Sequence, residues 1–203
     1  MVAITDDLAS PLAEVADCEV LLRSGASGSP TGFLNALIAH DYVASMILNE
    51  DNDYVPPLAR TVATTTLPTE LREVAADITS HPDSRLAYVG YGKHAAAVLY
   101  AALLTNEMTT IPADAYIAGQ HQDELLQRAD TQLTVLLFGS HSGPNVVLHA
   151  LARDLLAAGS NVIVIGGVDV SGSTYVPSST EHVGAEVARN VLIIEQFVSA
   201  LTT

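Results

Sequence analysis

The chain has no tryptophan, one cysteine and one lysine, and only 5% of its residues are aromatic. Without large rings, its core has to be assembled from Ala, Val, Leu and Ile, which the 49% hydrophobic content supplies. Cys18 alone cannot form an internal disulfide, which fits a reducing cytoplasm. No apolar run has the length of a membrane span, and the opening residues lack a basic stretch followed by a cleavage site, so neither insertion nor secretion is expected. Only 8 basic residues face 23 acidic ones. A surface with that balance cannot bind nucleic acid by general phosphate neutralisation. Gly90-Tyr91-Gly92 lacks the third glycine and the ribose-binding acid of a dinucleotide site, and no Walker sequence is present. His40, His81, His94, His141, His149 and His182 have no metal-ligand spacing. Neither a cofactor nor a metal is therefore expected.

The acidity is itself informative. The net charge is −15, and the carboxylates are scattered over amphipathic segments rather than gathered in a tail. Dispersed carboxylates with almost no lysine suit proteins that fold in concentrated salt, where self-repulsion is screened. An ordinary acidic bacterial protein is the alternative.

What the chain does have is clearest over residues 133–166, LTVLLFGSHSGPNVVLHALARDLLAAGSNVIVIG. The apolar run 133–138 ends in Gly139-Ser140-His141-Ser142-Gly143-Pro144. A helical pattern follows, with Val147, Leu151 and Leu155 on one face, and Gly159 stops it. A second apolar run, 162–165, begins soon after. This is a β-α-β unit with parallel strands and a crossover helix. Ser140, Ser142 and Gly143 lie where strand feeds helix, and unpaired N–H groups there favour an anion. Equally, Ser140 or Ser142 serves as a helix cap. His141 beside two serines has no G-x-S-x-G elbow around it, so a nucleophile is not expected.

The remaining chain falls into unequal parts. Strands are expected at 2–5 and 19–22, a short helix at 11–16, and a longer one at 33–48 after the Ser/Gly-rich loop 25–32. A further helix, interrupted near Pro68, spans 58–79, and 81–83 reads as a linker. From residue 86 strands and helices alternate: strand 86–89, helix 95–107, strand 108–112, helix 122–128, then the β-α-β unit, a short strand near 174–176 and a helix at 183–201. Such alternation predicts an α/β fold, a doubly wound parallel sheet with helices on both faces. The strand at residue 2 has no crossover before it. It either joins the edge of the main sheet or belongs to a separate, partial domain. No solenoid repeat is present.

Two stretches carry a family resemblance. VAITDDLASPLAEVADCEVLLRSGASGSPTGFLNALIAHDYVASMIL and YVGYGKHAAAVLYAALLTNEMTTIPADAYIAGQHQDEL resemble sugar isomerase (SIS) domain proteins, most closely the isomerase half of the glutamine–fructose-6-phosphate aminotransferase family. The second stretch resembles the family's G-x-G loop, its helix and its A-E-A-Y-x-x-G segment. The resemblance implies three parts: the remnant of a first SIS domain at 1–50, an interdomain helix and linker at 51–84, and a complete SIS domain at 85–203. It implies a phosphorylated sugar as ligand and pairing as a homodimer or with another SIS subunit, for which the apolar helices 95–104 and 191–201 are candidate surfaces.

The resemblance also assigns roles. Glu107 stands where the family has the Glu that moves a proton between adjacent sugar carbons, a task suited to a carboxylate. As a residue alone, Glu107 reads equally as a solvent-facing helix end. Asp123 replaces the His that assists ring opening, and His121 is the nearest substitute, or simply an exposed loop residue. Asp114, Tyr116 and Gly119 match the family segment; Gln120 and Glu124 replace its Glu and Gly, and Leu104 its Lys. Ser29 and Thr31 match the small-residue loop that lines the sugar site of the first SIS domain, or form a helix cap. Gly90 and Gly92 match the G-x-G loop. Ser140, Ser142 and Gly143 imitate S-x-S-G but fall in the second SIS domain, where the resemblance implies that the equivalent loop usually does not hold the sugar phosphate, so they are a secondary anion-binding candidate. The main phosphate loop of the first SIS domain would lie before the strand 2–5. The readings left open are an aldose–ketose sugar-phosphate isomerase, a noncatalytic binding or regulatory module, and a fragment whose site a partner completes.

Salt adaptation predicts that the thermal unfolding midpoint climbs as potassium chloride is raised beyond physiological levels. Calorimetry across a salt series tests this, and a flat profile marks an ordinary acidic protein.

Overall fold

The structure, a computed structural model, describes residues 1–24, 31–49, 55–120, 122–140, 146–178 and 183–202. It forms two compact units, Met1–Pro56 and Pro57–Thr203.

The first unit holds strand β1 (Val2–Thr5), helix α1 (Pro11–Glu14), strand β2 (Cys18–Leu21) and helix α2 (Thr31–Leu48). Ser10 caps α1 through its hydroxyl, and Pro11 takes the first helical position, where a missing N–H costs nothing. β1 and β2 pair in parallel, Val2 opposite Cys18 through Thr5 opposite Leu21, so the early strand does not join the main sheet. α2 is apolar along its length, yet Tyr42, Met46, Ile47 and Leu48 are exposed.

Pro68 divides the expected long helix into α3 (Val55–Thr64), whose first two residues belong to the first unit, and α4 (Thr69–Ser80) of the second. Strand β3 (Arg85–Gly90) leads through a 3-10 turn at Gly92–His94 into α5 (Ala95–Met108). Then come β4 (Ala113–Ile117), α6 (Gln122–Gln127), β5 (Leu133–Phe138), α7 (Val146–Ala157), β6 (Asn161–Ile165), β7 (Thr174–Val176) and α8 (Val183–Leu201). The five strands are all parallel in the order β4-β3-β5-β6-β7. This is the doubly wound α/β sheet that the alternation predicts.

The sequence reading places a strand at 108–112, and the structure corrects it to Ala113–Ile117. Met108 still belongs to α5, and Thr109 ends that helix with both its N–H and its hydroxyl on the Thr105 carbonyl. The Asn106 side chain then brackets Ala113, accepting from its N–H at 3.0 Å and donating to its carbonyl at 2.7 Å. The β-branched run Thr109-Thr110-Ile111 has strand propensity, but these local bonds hold it as a loop.

Alternating residues cover the two faces of the sheet. Val89, Val135, Leu137, Val162 and Val164 pack with Leu148, Leu151 and Leu155 of α7. Leu86, Tyr88, Leu136, Phe138, Ile163 and Ile165 are the other, equally buried set, and α4, α5 and α8 pack together with β3. Tyr88 brings a hydroxyl into that core and satisfies it on Thr105 Oγ1 at 2.8 Å. Along 191–201, α8 buries Val191, Ile193, Ile194, Phe197, Val198 and Leu201. α5 instead leaves Leu99 and Leu103 more than half exposed.

These environments separate two substitutions. Phe197→Ala leaves a cavity under α8 and costs about 3–5 kcal/mol, whereas Leu99→Ala, on the outer face, stays within about 0.5 kcal/mol. Urea unfolding followed by circular dichroism measures both.

Candidate functional site

β4 lies on one side of β3, while β5, β6 and β7 lie on the other. The chain therefore leaves β3 and β5 in opposite directions, which opens a crevice at their C-terminal ends. In open parallel sheets ligands bind at such a switch point. The residues there are Gly90 to His94 after β3, and Gly139 and Ser140 after β5.

The G-Y-G sequence has a steric basis. A Cβ on Gly90 would sit 2.8 Å from the His94 carbonyl oxygen, so only glycine lets the 3-10 turn fold back onto the strand end. Gly92 has φ of 59°, in the left-handed region. The turn carries Lys93 and His94 into the crevice mouth, where the first turns of α8 meet them. Lys93 Nζ donates to Glu186 Oε2 at 2.5 Å, and Ser140 Oγ donates to the same oxygen at 3.2 Å. Glu186 is only 3% exposed. Four residues along α8, Asn190 donates to His94 Nδ1 at 3.2 Å. His94 therefore carries its proton on Nε2, a buried atom with no partner among the described residues. Burial pushes the His94 pKa down to about 4, against the pull of the Glu186 carboxylate, so the ring is neutral at neutral pH. Arg189 donates through Nη2 to the Pro177 carbonyl at 2.9 Å, while its buried Nη1 has no partner among the described residues. Burial also lowers the Arg189 pKa, and Glu186 opposes this.

The crevice thus brings together Gly90, Gly92 and Ser140 from the expected binding set. Lys93, His94, Glu186, Arg189 and Asn190 join them without having been singled out. Two signals in the sequence pointed that way: Lys93 is the only lysine, and Glu186, Arg189 and Asn190 fall at helical spacing inside an otherwise apolar segment. Ser29, His121, Ser142 and Gly143 lie outside the described residues, as does the Thr31 side chain.

Glu107 and Asp123 stand apart from the crevice. A crossover helix runs antiparallel to its strands, so the last turn of α5 puts Glu107 at the opposite edge of the sheet. Fourteen residues of helix separate the two edges by about 20 Å. Glu107 is exposed there, within electrostatic reach of Tyr100. Tyr100 donates to Glu195 Oε1 of α8 at 3.1 Å. Burial raises the Glu195 pKa to about 7, although the Tyr100 hydrogen bond pulls it down. Asp123 is exposed in the first turn of α6. Beside it, a hollow of about 250 Å³ is lined by Leu99, Asp114, Ala115, Tyr116, Ile117, Gln120 and Glu124. Arg128, which bonds Tyr116 at 3.2 Å, pairs with Asp114 at 2.6 Å, so the nearest cation is already matched to a carboxylate. Among the described residues no group of His, Cys, Asp and Glu is arranged to hold a metal.

Glu195 gives this region a pH signature. The native state binds a proton that the unfolded chain releases near 4.5, so stability falls as pH rises from 4.5 toward 7. Glu195→Gln removes that contribution. Urea midpoints across this interval should fall less steeply in the variant than in the wild type.

No protein-family model and no curated protein matches the chain. Solved structures do. The C-terminal domain of glucosamine-fructose-6-phosphate aminotransferase from Francisella tularensis is 15% identical over 99% of this chain and 62% of that one, with a TM-score of 0.80. Glucosamine-6-phosphate deaminase from Thermotoga maritima is 15% identical over 98% of this chain and 60% of that one, at 0.68. A phosphoheptose isomerase from Francisella tularensis is 13% identical over 74% of this chain and 95% of that one, at 0.60. The chain thus spans about three fifths of the two longer structures and takes in most of the shorter one. At these identities the likeness concerns the fold, and the fold of this chain is that of the SIS-domain phosphosugar isomerases.

Proposed function

We propose that the chain is a SIS-type protein that binds a phosphorylated sugar, with the phosphate seated at the β3–β5 crevice. One observation carries this reading: the only lysine of a strongly acidic chain is placed at the sheet's switch point, where it and Ser140 reach the same anionic oxygen. In this reading Lys93 neutralises the phosphate, the Ser140 hydroxyl donates to it, and Gly90 and Gly92 let backbone approach the ligand closely. Ser29, Thr31, Ser142 and Gly143 remain in the proposed binding set on the sequence resemblance alone. The structural neighbours, named for aminotransfer, deamination and isomerisation of sugar phosphates, support the ligand class.

A second reading, aldose–ketose isomerisation, also has an observation in its favour. Glu107 lies near the Tyr100–Glu195 pair, and Glu195 titrates at about 7, where a group exchanges protons readily. Glu107 would carry the proton; His121 and Asp123 are assigned to ring opening by the resemblance alone, and Asp123, which opens α6 after the C-terminal end of β4, lies at the other edge of the sheet from Glu107. This chemistry needs a sugar at the far end of α5, away from the crevice. Residues 1–50 are proposed as the end of a first SIS domain, since a parallel strand pair followed by a long helix, β1 and β2 then α2, recurs as β6 and β7 then α8, with the short α1 between the first pair. Pairing of two chains would cover Leu99 and Leu103. A cytoplasmic setting is proposed from the lone, exposed Cys18, and no described helix is long and apolar enough to cross a membrane.

Isothermal titration with fructose 6-phosphate and glucose 6-phosphate tests the binding reading. Saturable heat is expected with at least one of them, and Lys93→Met should weaken it about tenfold or more, the loss of one charge-assisted contact. Silence with both ligands removes the reading. If the wild type interconverts the two sugars and Glu107→Gln does so equally well, Glu107 is not the base.

A further inference from the structure

The proposed phosphate seat is already filled by a side chain of the protein. Glu186 Oε2 accepts from both Lys93 Nζ and Ser140 Oγ, the two groups that would hold a ligand phosphate. The carboxylate is almost wholly buried and lies within electrostatic reach of His94 and Arg189. Those residues are 1% and 9% exposed, and each keeps a buried nitrogen, Nε2 of His94 and Nη1 of Arg189, without a partner among the described residues. A carboxylate offers two oxygens, whereas a phosphate monoester offers three. The cluster thus holds more donor capacity than its resident acid uses.

We propose that Glu186 is an internal stand-in for the ligand's phosphate, and that a phosphate monoester binds the crevice by displacing it from Lys93 and Ser140. This deepens the sugar-phosphate reading and rests on the same crevice. Glu186 belongs to the first turn of α8, where the helix dipole favours an anion in either state. The displaced carboxylate leaves, the phosphate takes its place, and the unused donors of His94 and Arg189 lie within the same cluster. Because the phosphate and the Glu186 carboxylate compete for the same place between Lys93 and Ser140, the ligand's affinity is reduced by the fraction of molecules in which Glu186 holds the seat. Where the seat is vacant in about a tenth of molecules, that reduction is about tenfold.

Two probes, inorganic phosphate and fructose 6-phosphate, are titrated calorimetrically into the wild type and Glu186→Gln, with folding checked by thermal unfolding. Glu186→Gln is expected to bind inorganic phosphate about tenfold more tightly or better. Glu186→Asp, which draws the carboxylate back from Lys93, should gain less in the same direction and carries the comparison where the glutamine variant fails to fold. A further measurement needs no substitution. Lys93 is the only lysine, so reductive 13C-methylation gives one lysine resonance beside that of the N-terminus. Phosphate should shift that resonance saturably in the wild type.

Unchanged or weaker phosphate binding in the variants, or a lysine resonance indifferent to phosphate, overturns the proposal. If fructose 6-phosphate binds the wild type while neither variant gains affinity, the stand-in fails and the sugar-phosphate reading survives. If the variants gain inorganic phosphate while no sugar phosphate binds any of the proteins, the stand-in holds and the sugar-phosphate reading fails. If neither probe binds any of them, both fail.

Discussion

Everything in the second unit follows from one constraint: parallel strands cannot be joined by a tight turn. Each must be followed by a crossover, and an apolar crossover helix has to lie on a face of the sheet. With five parallel strands, every strand-to-helix loop gathers at one edge and every return at the other. The order β4-β3-β5-β6-β7 then makes the chain diverge between β3 and β5. The crevice is a consequence of topology, and it would exist whatever residues lined it. What makes it a candidate binding site is the particular chemistry at Gly90–His94, Ser140 and the start of α8.

That chemistry runs against the rest of the molecule. Over the whole chain carboxylates outnumber cations almost threefold, and most of the described ones are solvated. At the crevice a carboxylate is buried, which is tolerable only with close donors. Lys93 and Ser140 supply them directly, while Arg189 opposes the acid's charge from the next turn of α8. His94 fits because it is neutral: its imidazole adds a hydrogen-bonding group without a second cation beside Lys93. Lys93 and Glu186 thus form the paired charges of the cluster, and Arg189 adds a second cation anchored on the Pro177 carbonyl.

The legible parts of the sequence are those whose environment is uniform. β3, β5 and β6 are buried on both faces, so they appear as unbroken apolar runs that mark the strand ends to within a residue or two. β4 is one of the two edge strands. Its residues Ala113-Asp114-Ala115-Tyr116-Ile117 mix buried and half-buried positions and lack an apolar run, so the neighbouring β-branched loop carried the stronger signal. The same distinction holds for the site. Glycines and serines after strands are visible as local patterns, and Gly90, Gly92 and Ser140 do gather at one place. The contact between Lys93 and Glu186 spans 93 positions, and no local pattern announces it. Only the rarity of lysine and the polar triplet on α8 hinted at it.

The two ends of α5 separate the proposed phosphate seat from the proposed proton carrier. Its first turn abuts the crevice, and its last turn carries Glu107 toward the returns. A rigid helix cannot bring both ends to one small sugar, so a phosphate held by Lys93 and a proton moved by Glu107 belong to different ligand molecules or different sites. The buried leucine at position 104 strengthens this division, because it gives the inner face of that last turn to the core. Exposed Glu107, with Tyr100 and the neutral-pH titration of Glu195 nearby, therefore faces outward, to whatever approaches that end of the helix from outside the unit.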